Sequence, residues 1–304
     1  MSEIEYFEDS WSIETVTLLI KKMNLSSDNI VYDPFSGCGT TAYTANYLGY
    51  ETISSDKSPL ACLFTYNHLK IPDHSEFIRT ANVFNDYPIE TIFDCFTIGE
   101  LSKINPGSKN FLLCYVVCAA LLKINWHRNS KFNRKLFLAA SKKILEQSKN
   151  RELYCSKNKF INKIYISPFT VNGAISQLKN FKGRLAIITS PPFYFSNRNP
   201  KKKELDEIIL KNNLFKFANE DKLSNKKYEE VDRLSKENYL NFLKMLLYFA
   251  EYMKCSSIAI DVSLRRKEFK ESLEKMLIAF CFDLNYFEDR SLKGENSIIM
   301  IGRR

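Results

Sequence analysis

The chain predicts an α/β fold: a parallel sheet flanked by helices and interrupted by a helical insertion. Three observations carry that expectation. Short apolar runs alternate with helix-like segments in both the first seventy and the last hundred and forty or so residues. Two of those runs end abruptly in loops of marked composition, Asp33-Pro34-Phe35-Ser36-Gly37-Cys38-Gly39-Thr40-Thr41 and Thr189-Ser190-Pro191-Pro192-Phe193. Between Pro72 and about Asn158 the strand-like runs disappear and only helical patterns remain.

The elements follow in order. Trp11–Met23 has the apolar spacing of a helix, through Ile13, Val16, Leu18, Leu19, Ile20 and Met23. Ile30-Val31-Tyr32 is a short apolar run that predicts a buried strand, and the glycine-containing loop follows at once. Thr40–Leu48 predicts a helix that Gly49 stops. Glu51–Ser55 predicts a second strand ending at Asp56, and Pro59–Leu69 a helix with proline in its first turn. Phe93–Leu101, Asn110–Ile124 and Asn133–Ser148 read as the helices of the insertion. The sheet resumes at Lys163–Ile166, followed by a helix near Val171–Leu178 and a strand at Leu185–Ile188. Asn197–Lys236 is rich in lysine and reads as a long loop with helical pieces. Tyr239–Met253 and Phe269–Ala279 predict helices, and Ser257–Val262, Asp283–Asp289 and Ser297–Ile301 predict strands. The domain division expected is residues 1–71 with 159–304 as the sheet domain, 72–158 as the insertion, and 197–236 as a lysine-rich region within the former.

Bulk composition sets bounds. Hydrophobic residues are 45% of the 304, enough for a sizeable core. No apolar stretch is long enough to cross a bilayer, and the acidic, polar Met1–Asp9 is not a secretory signal. A cytoplasmic location is the expectation. The eight cysteines form no C-x-x-C pair, and the three histidines are scattered. Reduced, buried thiols and no metal site are therefore expected. The net charge of +9 suits a polyanionic partner, but it equally suits a lysine-rich composition without one.

The first loop has the form of a ligand cradle. Glycine at 37 and 39 removes Cβ atoms that would block close approach, and the following helix offers backbone N–H groups. A dinucleotide fingerprint would need a third glycine where Ala42 stands, and a phosphate-binding P-loop would need a lysine. Asp56, at the tip of the second strand, suits ribose hydroxyls; as an alternative it suits the N-cap of the helix that begins near Pro59.

The second loop has the form of an amine acceptor. Pro191-Pro192 fixes two successive φ angles and removes two N–H donors. What remains outward is the Ser190 hydroxyl and backbone carbonyls, all able to accept from an exocyclic amine. Phe193 has a ring that can stack on a flat base, or else pack in the core.

With both loops in view, the chain resembles the S-adenosylmethionine-dependent amino-methyltransferases of DNA. Asp33–Thr41 is similar to that family's D-P-F-x-G-x-G-T-T cofactor motif, and Thr189–Phe193 to its catalytic S/D/N-P-P-Y/F motif. Phe7–Ser12 stands where members carry a further cofactor-contacting segment. The resemblance implies a Rossmann-like, seven-stranded, mostly parallel sheet with helices on both faces and one reversed strand near the C-terminus. It implies S-adenosylmethionine as cofactor and DNA as partner. The cofactor would be bound by Asp33, Pro34, Phe35, Ser36, Gly37, Gly39, Thr40, Thr41, Asp56 and Thr189, with Asp33 near its amino group and Asp56 on the ribose. Ser190, Pro191 and Pro192 would bind the target amine of a flipped base, and Phe193 would stack on it.

Three departures refine the expectation. Ser190 stands where adenine-modifying members often carry aspartate, which tilts the reading toward cytosine N4 over adenine N6. Ile166-Ser167-Pro168 lacks the acid that members often place near an adenine ring. Phe193 replaces the commoner tyrosine. For phosphate contact the lysine-rich region after the catalytic loop is favoured over the helical insertion, and Trp126-His127-Arg128 reads as a packed helix end. The alternatives carried forward are an RNA base N-methyltransferase and a non-catalytic binding subunit of the same fold. A role in restriction–modification or epigenetic marking is the biological setting expected.

Overall fold

A computed structural model describes residues 11–70, 72–106, 110–124, 133–150, 162–166, 169–179, 183–191, 200–212, 214, 236–263, 267–289 and 297–303. Of the sequence-predicted features, Phe7–Ser10, Trp126-His127-Arg128, Pro192, Phe193 and most of the lysine-rich stretch beyond residue 214 lie outside them.

The first helix, α1 (Ile13–Met23), starts at Ser12, whose Oγ accepts from the Thr15 N–H at 3.1 Å, and ends at Asn24 in the left-handed region. Then come β1 (Asn29–Asp33), α2 (Thr40–Tyr47), β2 (Glu51–Asp56) and α3 (Pro59–Leu69). The intervening helices are α4 (His74–Asp86), α5 (Ile89–Ile98), α6 (Phe111–Lys123) and α7 (Arg134–Asn150). The sheet resumes with β3 (Asn162–Ile166), α8 (Val171–Leu178) and β4 (Arg184–Thr189). It finishes with α9 (Pro200–Lys211), α10 (Lys236–Tyr252), β5 (Ser257–Ser263), α11 (Lys267–Ala279), β6 (Asp283–Asp289) and β7 (Ser297–Arg303).

The seven strands form one sheet in the order β3-β2-β1-β4-β5-β7-β6. β1 to β5 are parallel; β7 runs antiparallel between β5 and β6. The late reversed strand is therefore present at Ser297–Arg303. β1 is buried along all five residues because it has a neighbour on each edge and helices on each face. On one face Val31, Ala186, Ile188, Ala259, Ile299 and Ile301 pack against α1 and Ala45 of α2. On the other, Ile30, Tyr32, Leu185, Ile187, Ile258 and Ile260 pack against α8, α10 and α11.

A second core lies off the sheet. α6 is buried on all sides from Phe111 to Leu121, and Leu60, Leu63, Phe64, Phe96, Phe137 and Ile144 surround it. Each fully buried Leu, Ile or Phe here is worth about 1.5–3 kcal/mol. Leu205, Ile208 and Ile209 of α9 join this core. One reading of the sequence needs correction. His74–Asp86 is a helix that its sparse apolar pattern did not announce; Asp73 caps it by accepting from the Glu76 N–H at 2.7 Å. In the lysine-rich stretch, α9 is one of the helical pieces expected there, and Leu205, Ile208 and Ile209 place its apolar stripe on the core.

Candidate functional site

The chain leaves β1 toward β2 on one side, while β4 and β5 build the sheet on the other. That makes the β1/β4 boundary the topological switch point, where a crevice opens beyond the carboxyl ends of the strands. The two loops singled out in the sequence are the ones that follow β1 and β4. They flank the crevice because the strand order makes them neighbours, although about 150 residues separate them in sequence.

A buried hydrogen bond joins them. The Thr189 hydroxyl donates to Asp33 Oδ1 at 2.7 Å, with Thr189 0% and Asp33 3% exposed. The same Oδ1 accepts from the Phe35 N–H at 3.0 Å, and the Thr41 hydroxyl also bonds the carboxylate. Burial nevertheless dominates and pushes the Asp33 carboxyl up to about 6; the bonds from Thr189, Phe35 and Thr41 pull the other way, and Asp56 nearby adds to the rise.

The glycine loop is held by its neighbours on β2 and α3. Its Ser36 N–H donates to the Ser55 carbonyl at 3.0 Å, and its Gly37 N–H to Asp56 Oδ2 at 3.0 Å. From α3, Thr65 Oγ1 donates to the Gly37 carbonyl at 3.3 Å. Gly37 and Gly39 both have positive φ, +52° and +84°. A Cβ on Gly39 would lie 2.7 Å from Thr65 Oγ1 and 2.8 Å from its Cα, so α3 sits directly against the loop there. A Cβ on Gly37 would meet nothing within 4 Å. The first glycine thus leaves open space, and the second allows close packing. Gly39 is also the N-cap of α2 and brings no side-chain cap to its first turn.

The accessible surface of the site follows from burial. Phe35, Gly37, Asp56 and Ser190 are partly exposed; Pro34, Ser36, Thr40, Thr41 and Thr189 are buried and brace the loops from within. Pro191 is buried beside Ser190. The Phe35 ring joins an aromatic cluster, 5.5 Å from Phe169 and 5.3 Å from Phe242.

The Asp56 carboxylate accepts from the Gly37 N–H and, through Oδ1, from the Ser58 N–H at 2.9 Å. The N-cap alternative for Asp56 does not hold, because Ser58 fills that position by accepting from the Ala61 N–H at 3.3 Å. Its carboxylate stays at the tip of β2, partly open to the crevice.

Four residues of this region were missed from the sequence. Thr65 and His68 support the loop from α3; the His68 Nδ1 lies 2.6 Å from the Cys38 carbonyl oxygen. Asp206 of α9 accepts from Ser58 Oγ at 2.7 Å and from the Leu60 N–H at 2.8 Å, so it holds the start of α3. Asp261 lies within β5, one residue past the partner of Thr189, and accepts from the Trp11 indole N–H at 2.6 Å. No local pattern in the sequence marks any of these four.

Among the described residues no group of three or more His, Cys, Asp or Glu is arranged to hold a metal. Likewise no helix among them is long and apolar enough to cross a membrane.

By its sheet order the chain is a Rossmann-like α/β protein, and its two marked loops meet at the switch point. Compared with known proteins, no family model matches it, and no curated protein matches its sequence. Among solved structures it is similar to the rRNA methyltransferase aviRa from Streptomyces viridochromogenes, at 11% identity and a TM-score of 0.45, covering 99% of this chain and 88% of that one. It is also similar to PH1948 from Pyrococcus horikoshii, a candidate RNA methyltransferase, at 10% identity and a TM-score of 0.36, covering 96% of this chain and 82% of that one. At these levels the likenesses say nothing of chemistry.

Proposed function

We propose that this chain methylates the exocyclic amino group of a DNA base flipped into the crevice, cytosine N4 ahead of adenine N6, with S-adenosylmethionine as methyl donor. The observation that carries the reading is the Thr189–Asp33 hydrogen bond: it joins a cofactor-type loop and an amine-acceptor loop at one switch point.

The residues present fit the cofactor. Gly37 leaves an open cradle, Asp56 offers a carboxylate for ribose hydroxyls, and Phe35 offers a ring edge at the same loop. S-adenosylmethionine, when bound, supplies a methyl group on a positively charged sulfur. Asp33, held by Thr189 and Phe35, contributes negative charge beneath the loop. Ser190 and the carbonyls around Pro191 accept hydrogens from the target amine, drawing its lone pair out of conjugation with the ring. Pro191 stiffens the loop, so that these acceptors are in place before the base arrives. The roles of Pro192 and Phe193 rest on the motif. The lysine-rich stretch is proposed to follow the phosphate backbone.

The test is incubation with labelled S-adenosylmethionine and separate DNA and RNA substrates, followed by mass spectrometry of the nucleosides. N4-methylcytosine in DNA is the expected product and N6-methyladenine the second. Label in RNA alone would overturn the substrate, and no cofactor binding by calorimetry would favour a non-catalytic member of the fold.

A further inference from the structure

The glycine loop makes a peptide-by-peptide demand on its surroundings. Between two left-handed glycines, the carbonyls of Gly37 and Cys38 point out of the loop, and each needs a donor. Both donors come from α3: Thr65 for Gly37, and His68 for Cys38. A peptide unit is planar and trans, so fixing a carbonyl sends the N–H of the same unit to the opposite side. The bond to Cys38 thereby orients the following N–H, that of Gly39, which donates to the Ser36 carbonyl at 2.7 Å and closes the turn.

His68 is itself held. It is 1% exposed, and its Nε2 lies 3.5 Å from the hydroxyl of Tyr115, which is fully buried on α6. A carbonyl oxygen can only accept, so Nδ1 carries a proton and Nε2 is left to accept from Tyr115 in the neutral ring. Phe64 packs edge-on against both rings, with centroids 6.1 Å from His68 and 5.0 Å from Tyr115. The line from Tyr115 through His68 to Cys38 runs from the helices between β2 and β3 into the loop.

We infer that His68 is a positioning residue for the loop Asp33–Thr41, backed by Tyr115, so that the helical segment helps to build the cofactor site. The inference rests on the reading of that loop as the cofactor loop. His68 touches no ligand; it acts by setting the Cys38 peptide.

The test compares His68→Leu, His68→Asn and Tyr115→Phe with the wild type in the full chain, by calorimetry with S-adenosylmethionine and by thermal unfolding. His68→Leu is expected to weaken cofactor binding about tenfold, because the Cys38 carbonyl loses its donor. His68→Asn keeps an N–H near the Nδ1 position and should recover to within about threefold of wild type. Tyr115→Phe should weaken binding about twofold to threefold, in line with a long and modest hydrogen bond. Wild-type affinity in His68→Leu would overturn the inference, as would His68→Asn binding no better than His68→Leu at equal thermal stability. Should His68→Leu not fold, Tyr115→Phe decides, and an unchanged dissociation constant there overturns the inference. A wild type that binds no S-adenosylmethionine removes the reading of the loop, and this inference with it.

Discussion

Thr189 and Asp33 stand 156 positions apart, yet the threonine hydroxyl donates to the buried aspartate over 2.7 Å. The bond crosses from the end of β4 to the end of β1, where the sheet changes direction. Thr189→Val keeps the shape and removes the donor. It should destabilise the fold by about 1–3 kcal/mol, as expected when a buried acceptor loses a partner. Urea unfolding measures that loss, and a change below a few tenths of a kcal/mol would show the bond to be slack.

Asp33 also sets a pH dependence. Its carboxyl is pushed from 3.8 to about 6 by burial, so the folded state holds the proton more tightly than the unfolded chain. The associated stability is complete below about pH 4 and is lost as pH rises through about 6. The gap corresponds to roughly 3 kcal/mol. Asp33→Asn should therefore flatten the stability profile between about pH 4 and 6 and raise apo stability at neutral pH. Matched unfolding curves across that range check it; parallel wild-type and variant profiles would assign the pH dependence elsewhere. A cationic ligand near Asp33 favours the carboxylate, so affinity for S-adenosylmethionine should rise with pH through about 6 and then level off.

Gly37 and Gly39 should respond differently to alanine. At Gly39 the new methyl would lie within 3 Å of Thr65 side-chain and backbone atoms, so Gly39→Ala should cost several kcal/mol or prevent folding. At Gly37 the space is open, so Gly37→Ala should cost only about 1–2 kcal/mol of backbone strain. Its methyl would project into the cradle and weaken cofactor binding at least tenfold. Thermal melts with cofactor titrations separate the two cases.

Asp206 links α9, the first described helix after β4, to the start of α3. Asp206→Ala removes an acceptor shared by Ser58 and Leu60 and should lower stability by about 2–3 kcal/mol. Asp206→Asn retains a carbonyl oxygen at that position and should recover most of it. Equal losses in both variants would mean that charge, not geometry, matters there.

Pro191→Ala should abolish most methyl transfer and leave S-adenosylmethionine affinity within about twofold, because the loop loses stiffness while the glycine loop is untouched. Full transfer by this variant would refute the role given to the loop.

Most of the α/β alternation was legible in the sequence because each element carries its own period. The apolar runs at Ile30–Tyr32 and Leu185–Ile188 are core strands, and the loops after them are strand-end loops. α4 was not legible, because few of its residues face a core. α9 was legible only as one of the helical pieces expected in the lysine-rich stretch, and the docking of Leu205, Ile208 and Ile209 set its place. Asp33, Gly37, Gly39 and Ser190 of the two loops, and Asp56 at the tip of β2, could be singled out in advance, since residue type and spacing form a local pattern. Thr65, His68 and Asp206 could not, since each acts through a partner distant in sequence.

By itself, then, the sequence determined most of the order of elements and the positions of the two strand-end loops, through local periodicity and residue type. The resemblance it carries also anticipated the sheet with its late reversed strand. Only the tertiary structure decided which strand ends became neighbours, that the Thr189 hydroxyl donates to Asp33, and that α3 and the off-sheet helices brace the glycine loop. Those are consequences of strand order and buried hydrogen-bond pairing. Both join residues far apart in the chain, where no local pattern reaches.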